Sequence, residues 1–217
     1  MNIEIIPTVV PLSFDDIVAA AARYPFARAL HVDFADGIFA PNTTWLPEKG
    51  NHFPTESGMQ FEAHLMVQEP QEIGMRLVRA GCTRITGHVE AMAHVEDTLA
   101  SWREAGAAEV GLGMLADTSA ESVYDFVDII DMLQMMTISK IGVQGLPFDE
   151  SAPLRVRDMH ERYPTLLISV DGSVNEKTIL PLAEAGARRF CAGSVLSKAA
   201  EPKAMYRRLM ALAESAI

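Results

Sequence analysis

Strict alternation between two hydrophobic periods constrains this chain more than any other feature. Eight compact apolar runs recur along it, at 3–10, 29–34, 60–67, 84–90, 108–115, 129–137, 165–172 and 188–194, rich in Ile, Val and Leu. Runs of that length that stay apolar at consecutive positions are the mark of strands buried on both faces. Between them lie segments with helical spacing and helix-end signals. Ser13 precedes FDDIVAAAARY, with Asp15 and Asp16 in the first turn, and Glu69-Pro70-Gln71 precede EIGMRLVRAG, which closes on Gly81. Thr118 and Ser119 precede AESVYDFV, and Asn175 precedes EKTILPLAEAG, which closes on Gly186. A side-chain acceptor, an acidic first turn and a glycine stop serve the free amides, the dipole and the last carbonyls of a helix.

An Ala-Gly pair just before a strand recurs at 80–81, 105–106 and 185–186. Strand then helix, eight times over, predicts an α/β fold with a parallel sheet closed into a (βα)8 TIM barrel; a doubly wound open sheet is the alternative. No linker interrupts the pattern, so 1–217 reads as one compact domain. The segment 41–58 (PNTTWLPEKGNHFPTESG), rich in Pro, Asn and Gly, reads mostly as loop where the second helix would fall.

Composition excludes several function classes. The net charge is −11, and Lys and Arg are scattered without a basic stripe, which argues against a nucleic-acid partner. No apolar run reaches the ~18–20 residues of a membrane span. Cys82 and Cys191 sit inside apolar runs and read as reduced thiols. With no basic start or long apolar stretch in MNIEIIPTVV, a cytoplasmic setting is expected. An anionic substrate would meet a repulsive field here, so backbone amides or a metal would have to hold it.

The second strand ends on HVDFADG (31–37), a histidine and two aspartates where a structural strand would bury aliphatics. Buried carboxylates are costly without partners. In a (βα)8 barrel, chemistry gathers at the C-terminal ends of strands. Those ends carry His31, Asp33 and Asp36 on strand 2, His64 on strand 3, His88 and Glu90 on strand 4 and Asp171 on strand 7. His31 and Asp33, two apart, face the same side. Singly, such a histidine is most often a hydrogen-bonded structural residue, Asp36 before Gly37 caps a turn, and His88 and Glu90 are rim residues. Together, H-x-D, then H, then D form a mixed N/O donor set for one divalent metal ion: Zn, Fe, Mn or Co. The stretches Gly142–Gly145, Asp171–Ser173 and Ala192–Ser194 follow strands 6, 7 and 8, where barrels bind phosphate through backbone amides.

HVDFADGIFAPNTTW (31–45), FEAHLMVQEP (61–70), AGCTRITGHVEA (80–91), VDGSVNEKTI (170–179) and AGSVL (192–196) resemble, in the same order, the motifs of the ribulose-phosphate 3-epimerase family. The resemblance implies a ribulose-phosphate-binding barrel and a homo-oligomer. It also implies proton transfer at C3 through a cis-enediolate, interconverting D-ribulose 5-phosphate and D-xylulose 5-phosphate. Carried over by motif, His31, Asp33, His64 and Asp171 bind the metal, and Asp33 and Asp171 act as acid and base on opposite faces of C3. Met66, Gly142, Gly145, Gly172, Ser173, Gly193 and Ser194 bind the small-molecule sugar phosphate.

Departures fall on substrate contacts. Pro11 stands where family members carry serine, with Thr8 a substitute hydroxyl if the strand shifts. Ala35 replaces a methionine, and Ile141-Gly-Val-Gln-Gly-Leu146 replaces P-G-F-G-G-Q, with Gln144 inside it. Alternatives are a 3-epimerase of another ketose phosphate, such as allulose 6-phosphate, or a non-catalytic sugar-phosphate-binding relative. The sugar-phosphate decarboxylases and hexulose-phosphate synthases use Asp-x-Lys-x-x-Asp, and no lysine lies between 29 and 48.

Overall fold

The computed structural model describes residues 2–216 apart from Lys49, Asn51, Glu56, Ser57, Val143 and Gln144; the Gln144 departure thus lies outside the described residues. Eight strands, β1 (Glu4–Val9), β2 (Ala29–Ala35), β3 (Gln60–Met66), β4 (Arg84–His88), β5 (Glu109–Met114), β6 (Met132–Met136), β7 (Leu167–Asp171) and β8 (Arg189–Ala192), run parallel and close into a barrel in sequence order. β8 returns to β1 through Glu4↔Arg189 to Pro7↔Ala192. The helices are α1 (Phe14–Arg23), α2 (Gln71–Arg79), α3 (Val95–Ala105), α4 (Glu121–Tyr124), α5 (Ala152–Arg162), α6 (Ile179–Glu184), α7 (Ser194–Ser197) and α8 (Pro202–Glu214). None among the described residues is long and apolar enough to cross a membrane.

All seven residues of β2 are buried, which is why the run looks uniformly apolar at first sight. Parity nevertheless divides its chemistry. Leu30, Val32 and Phe34 join the apolar layer beneath the helices, while His31 and Asp33 face the barrel interior. β3 repeats the pattern, with Phe61, Ala63 and Leu65 in the apolar layer and Glu62 and His64 inside. The register sets Asp33 beside His64, so two strands deliver their polar residues to one level.

The predicted helix signals hold at several ends. Ser13 caps α1 in a reciprocal box: its hydroxyl accepts from the Asp16 amide, and Asp16 accepts from the Ser13 amide at 2.8 Å. Gly81 and Gly106 take the left-handed conformation that ends α2 and α3. Other boundaries are shorter than the sequence pattern. α4 has only four residues, and β4 stops at His88, where Val89–Ala91 turns into a 3-10 helix. No helix lies between β2 and β3 among the described residues, as the composition of 41–58 leads one to expect. Trp45 and Phe53 take that place, with ring centroids 5.5 and 6.3 Å from Phe14, and Phe53 lies 5.0 Å from Phe61.

Candidate active site

His31, Asp33, His64 and Asp171 each offer a ligand atom, all within 4.8 Å of one another. His64 Nδ1 lies 2.8 Å from Asp33 Oδ1 and 3.5 Å from Asp171 Oδ2, and His31 Nε2 lies 3.4 Å from Asp33 Oδ1. The imidazoles are fully buried, whereas the Asp33 and Asp171 side chains keep 11% and 14% of their surface open to a recess at the barrel mouth. His31 Nε2 is buried without a hydrogen-bond partner, an orphan aimed into the cluster. Two imidazole nitrogens and two carboxylates around that orphan fit one divalent cation of the Zn, Fe, Mn or Co type.

The two aspartates differ in proton affinity. Burial opposes ionisation of Asp33, yet the adjacent imidazoles of His31 and His64 outweigh it and hold its carboxyl well below the usual range. Burial, and then the negative charge of Asp33, hold Asp171 above its ordinary value despite the same two histidines. An ionised carboxylate beside one that retains a proton more readily is a layout suited to acid–base chemistry.

Beneath the cluster lies a buried ionic layer. His31 Nδ1 donates to Glu62 Oε1 at 2.7 Å, which leaves Nε2 as the free lone pair. Glu62 Oε2 accepts from Arg189 Nη1 at 3.0 Å; Arg189 also reaches Glu4 at 2.9 Å and clasps Glu109. Arg84 Nη1 spans both Glu4 oxygens at 3.0 Å. Burial raises the Glu62 pKa, but the His31 hydrogen bond and the Arg189 charge bring it down to about 2. Because the folded value is depressed from 4.5, the stabilisation is complete above that pH and drains away as pH falls toward 2. Urea unfolding of chelated protein should therefore lose up to about 3 kcal/mol more than a Glu62→Gln variant across that window. Parallel pH profiles for the two proteins would remove Glu62 as the cause.

The recess brings the remaining sequence candidates together: Met66, Gly142, Gly145, Gly172, Ser173, Gly193 and Ser194 all line it with Asp33 and Asp171, and no Lys or Arg does so among the described residues. Two glycines there are sterically obligatory. A Cβ on Gly142, at φ +74°, would fall 1.9 Å from Asn42 Oδ1, and one on Gly172, at φ +112°, 2.7 Å from Ile138. The Ser173 hydroxyl donates to the Leu146 carbonyl, tying the loop after β7 to the loop after β6. Thr8 also lines the recess, its buried hydroxyl unpartnered.

Asp36 stands apart from the cluster and caps a turn, accepting from the Ile38, Phe39 and Gln68 amides. His88, expected at the rim, is instead fully buried against His64. Sequence reading does not single out Glu62 or Arg189, and it takes Thr118 only for a helix cap. Glu62 does carry a signal, since it lies two residues before His64 and therefore on the same face.

The closed (βα)8 barrel thus gathers paired carboxylates and imidazoles at its strand ends, beside a glycine-lined recess. Residues 5–197 match the model of the ribulose-phosphate 3 epimerase family. The chain is 34% identical over 178 residues to a ribulose-phosphate 3-epimerase of Schizosaccharomyces pombe, covering 80% of this chain and 77% of that one. It is 31% identical over 195 residues to that of Aquifex aeolicus, covering 88% and 87%. The protein belongs to the ribulose-phosphate 3-epimerase family and is an isomerase of the epimerase type. A solved 3-hexulose-6-phosphate synthase from Salmonella typhimurium shares the fold, with TM-score 0.67 and 14% identity over 99% of this chain and 100% of that one.

Proposed function

We propose that this protein is a metal-dependent 3-epimerase of a ketose phosphate, interconverting D-ribulose 5-phosphate and D-xylulose 5-phosphate. The observation that carries the reading is the pair Asp33 and Asp171, which line one recess and whose ligand atoms lie within 4.8 Å of those of His31 and His64. Inverting C3 requires a proton taken from one face and another returned to the opposite face, and each carboxylate serves one face. His31, Asp33, His64 and Asp171 hold the cation. When bound, it would supply positive charge that offsets the negative charge built up as C3 loses its proton. The amides of Gly142, Gly145, Gly172, Ser173, Gly193 and Ser194 hold the phosphate, and Met66 packs on the sugar. The Thr8 hydroxyl donates to a substrate oxygen.

In the same proposal residues 1–217 act as one domain in the cytoplasm, where the free buried thiols of Cys82 and Cys191 stay reduced. The protein assembles as a homo-oligomer, which sedimentation would test; Leu12, Ile38 and Leu154 are exposed apolar side chains that a subunit contact would cover.

The direct test is deuterium wash-in at C3 of ribulose 5-phosphate, followed by NMR in D₂O with metal-loaded and chelated protein side by side. Exchange with appearance of xylulose 5-phosphate is expected only in the loaded sample. Absence of exchange from protein that demonstrably holds a metal would remove ribulose 5-phosphate and direct the search to other ketose phosphates such as allulose 6-phosphate. Binding without exchange on any of them would mark a non-catalytic sugar-phosphate receptor.

A further inference from the structure

His64 turns Nδ1 toward Asp33 and Asp171 and Nε2 the other way, where it lies 2.8 Å from Nε2 of His88. Two imidazole nitrogens at that separation share one proton, so one ring donates and the other accepts. His88 Nδ1 faces Glu90 Oε2 at 3.4 Å, and neither atom has another partner although both are buried. The other oxygen of Glu90 accepts from the Leu115 amide at 2.8 Å and from the Thr118 hydroxyl. The result is a line of groups running from the loop after β5 to the cluster.

The line has a direction. A neutral His88 with its proton on Nε2 would present a bare Nδ1 lone pair to the Glu90 carboxylate, which is repulsive. With the proton on Nδ1, His88 donates to Glu90 and accepts from the Nε2–H of His64. His64 Nδ1 is then a lone pair pointing into the cluster, the tautomer a cation requires. The fold holds His88 in place for this: its ring packs 5.2 Å from the Phe39 ring, and a Cβ on Gly113 would come within 3.2 Å of it. The other histidine of the cluster shows the same arrangement in shorter form. Glu62 takes the Nδ1–H of His31 directly, whereas Glu90 reaches His64 through His88.

We infer that His88 and Glu90 are positioning residues that present the Nδ1 lone pair of His64 to the cation. The inference rests on the metal-dependent reading above and adds two residues to it. Neither residue lines the substrate recess, so the expected signature lies in cation binding ahead of sugar binding.

The test measures cobalt(II) affinity by competition with a chelator, with the visible absorption of the cobalt-loaded protein as a second readout. Wild type is compared with Glu90→Gln, His88→Phe and His88→Gln, the last keeping an amide oxygen that accepts from His64 Nε2–H. Glu90→Gln and His88→Phe should bind cobalt about 10–100-fold more weakly, and His88→Gln should recover much of the loss. At saturating cobalt, KM for ribulose 5-phosphate should stay within about two-fold of wild type in Glu90→Gln, because groups that orient a ligand act on the metal ahead of the sugar. Wild-type cobalt affinity in both Glu90→Gln and His88→Phe overturns the inference, as does equal weakening in His88→Phe and His88→Gln. A wild-type protein that takes up no divalent ion overturns the metal reading and this inference with it.

Discussion

Replacing Asp171 by asparagine is expected to lower epimerisation about 10²–10⁴-fold while leaving hydrogen exchange at C3 of one epimer intact. Asparagine keeps an oxygen toward the cluster but cannot carry a proton to or from carbon. Asp33, the remaining carboxylate of the recess, still abstracts the proton that faces it. The carbanion then collects deuterium from the same side and returns as the starting sugar. Asp33→Asn should show the mirror behaviour, with exchange confined to the other epimer. The experiment starts from each pure ketose phosphate in D₂O and follows C3 deuteration and epimer formation separately. Loss of epimerisation with equal exchange from both epimers would mean that one group serves both faces. The two-carboxylate mechanism would then fail.

The legibility of this site follows from how local its signals are. The strands can be read because both their faces are buried, which leaves uninterrupted apolar runs. The H-x-D of β2 stands out because polar residues there break that rule at a spacing of two. The segment 41–58 is recognisable as loop, but not the use of Trp45 and Phe53 to cover the barrel, because their partner Phe14 lies on another element. His88 is visible as a strand-end histidine. Its inward position becomes clear only where β4 stops and turns into a 3-10 helix. The Glu62–Arg189 pair joins positions 127 apart in the chain, and no local pattern announces such a contact. Thr118 reads as a helix cap, yet its hydroxyl goes to Glu90. Side-chain hydrogen bonds that compete with capping are decided by tertiary neighbours.

Arg189→Met is expected to destabilise the fold by about 3–5 kcal/mol, the usual cost of stranding one partner of a buried ion pair. For a chain of this size that corresponds to a fall in Tm on the order of 10 °C. The Arg189 side chain is only 4% exposed and serves Glu4, Glu62 and Glu109 at once. Arg84 would remain to face three carboxylates, with Glu62 3.8 Å away and Glu109 3.7 Å away. A methionine fills much of the volume, so the expected loss comes from uncompensated charge ahead of a cavity. That distinction is testable, because removing one carboxylate as well should restore stability. Arg189→Met combined with Glu109→Gln should recover part of the loss, leaving Arg84 with two carboxylates. Glu109 is the right partner to remove, since Glu62 also orients His31 and its loss would disturb the cluster above. Urea unfolding of the two variants at pH 7 gives the comparison. A double variant no more stable than the single one would assign the loss to packing, and the ionic layer would then be a consequence of the fold with no share in holding it.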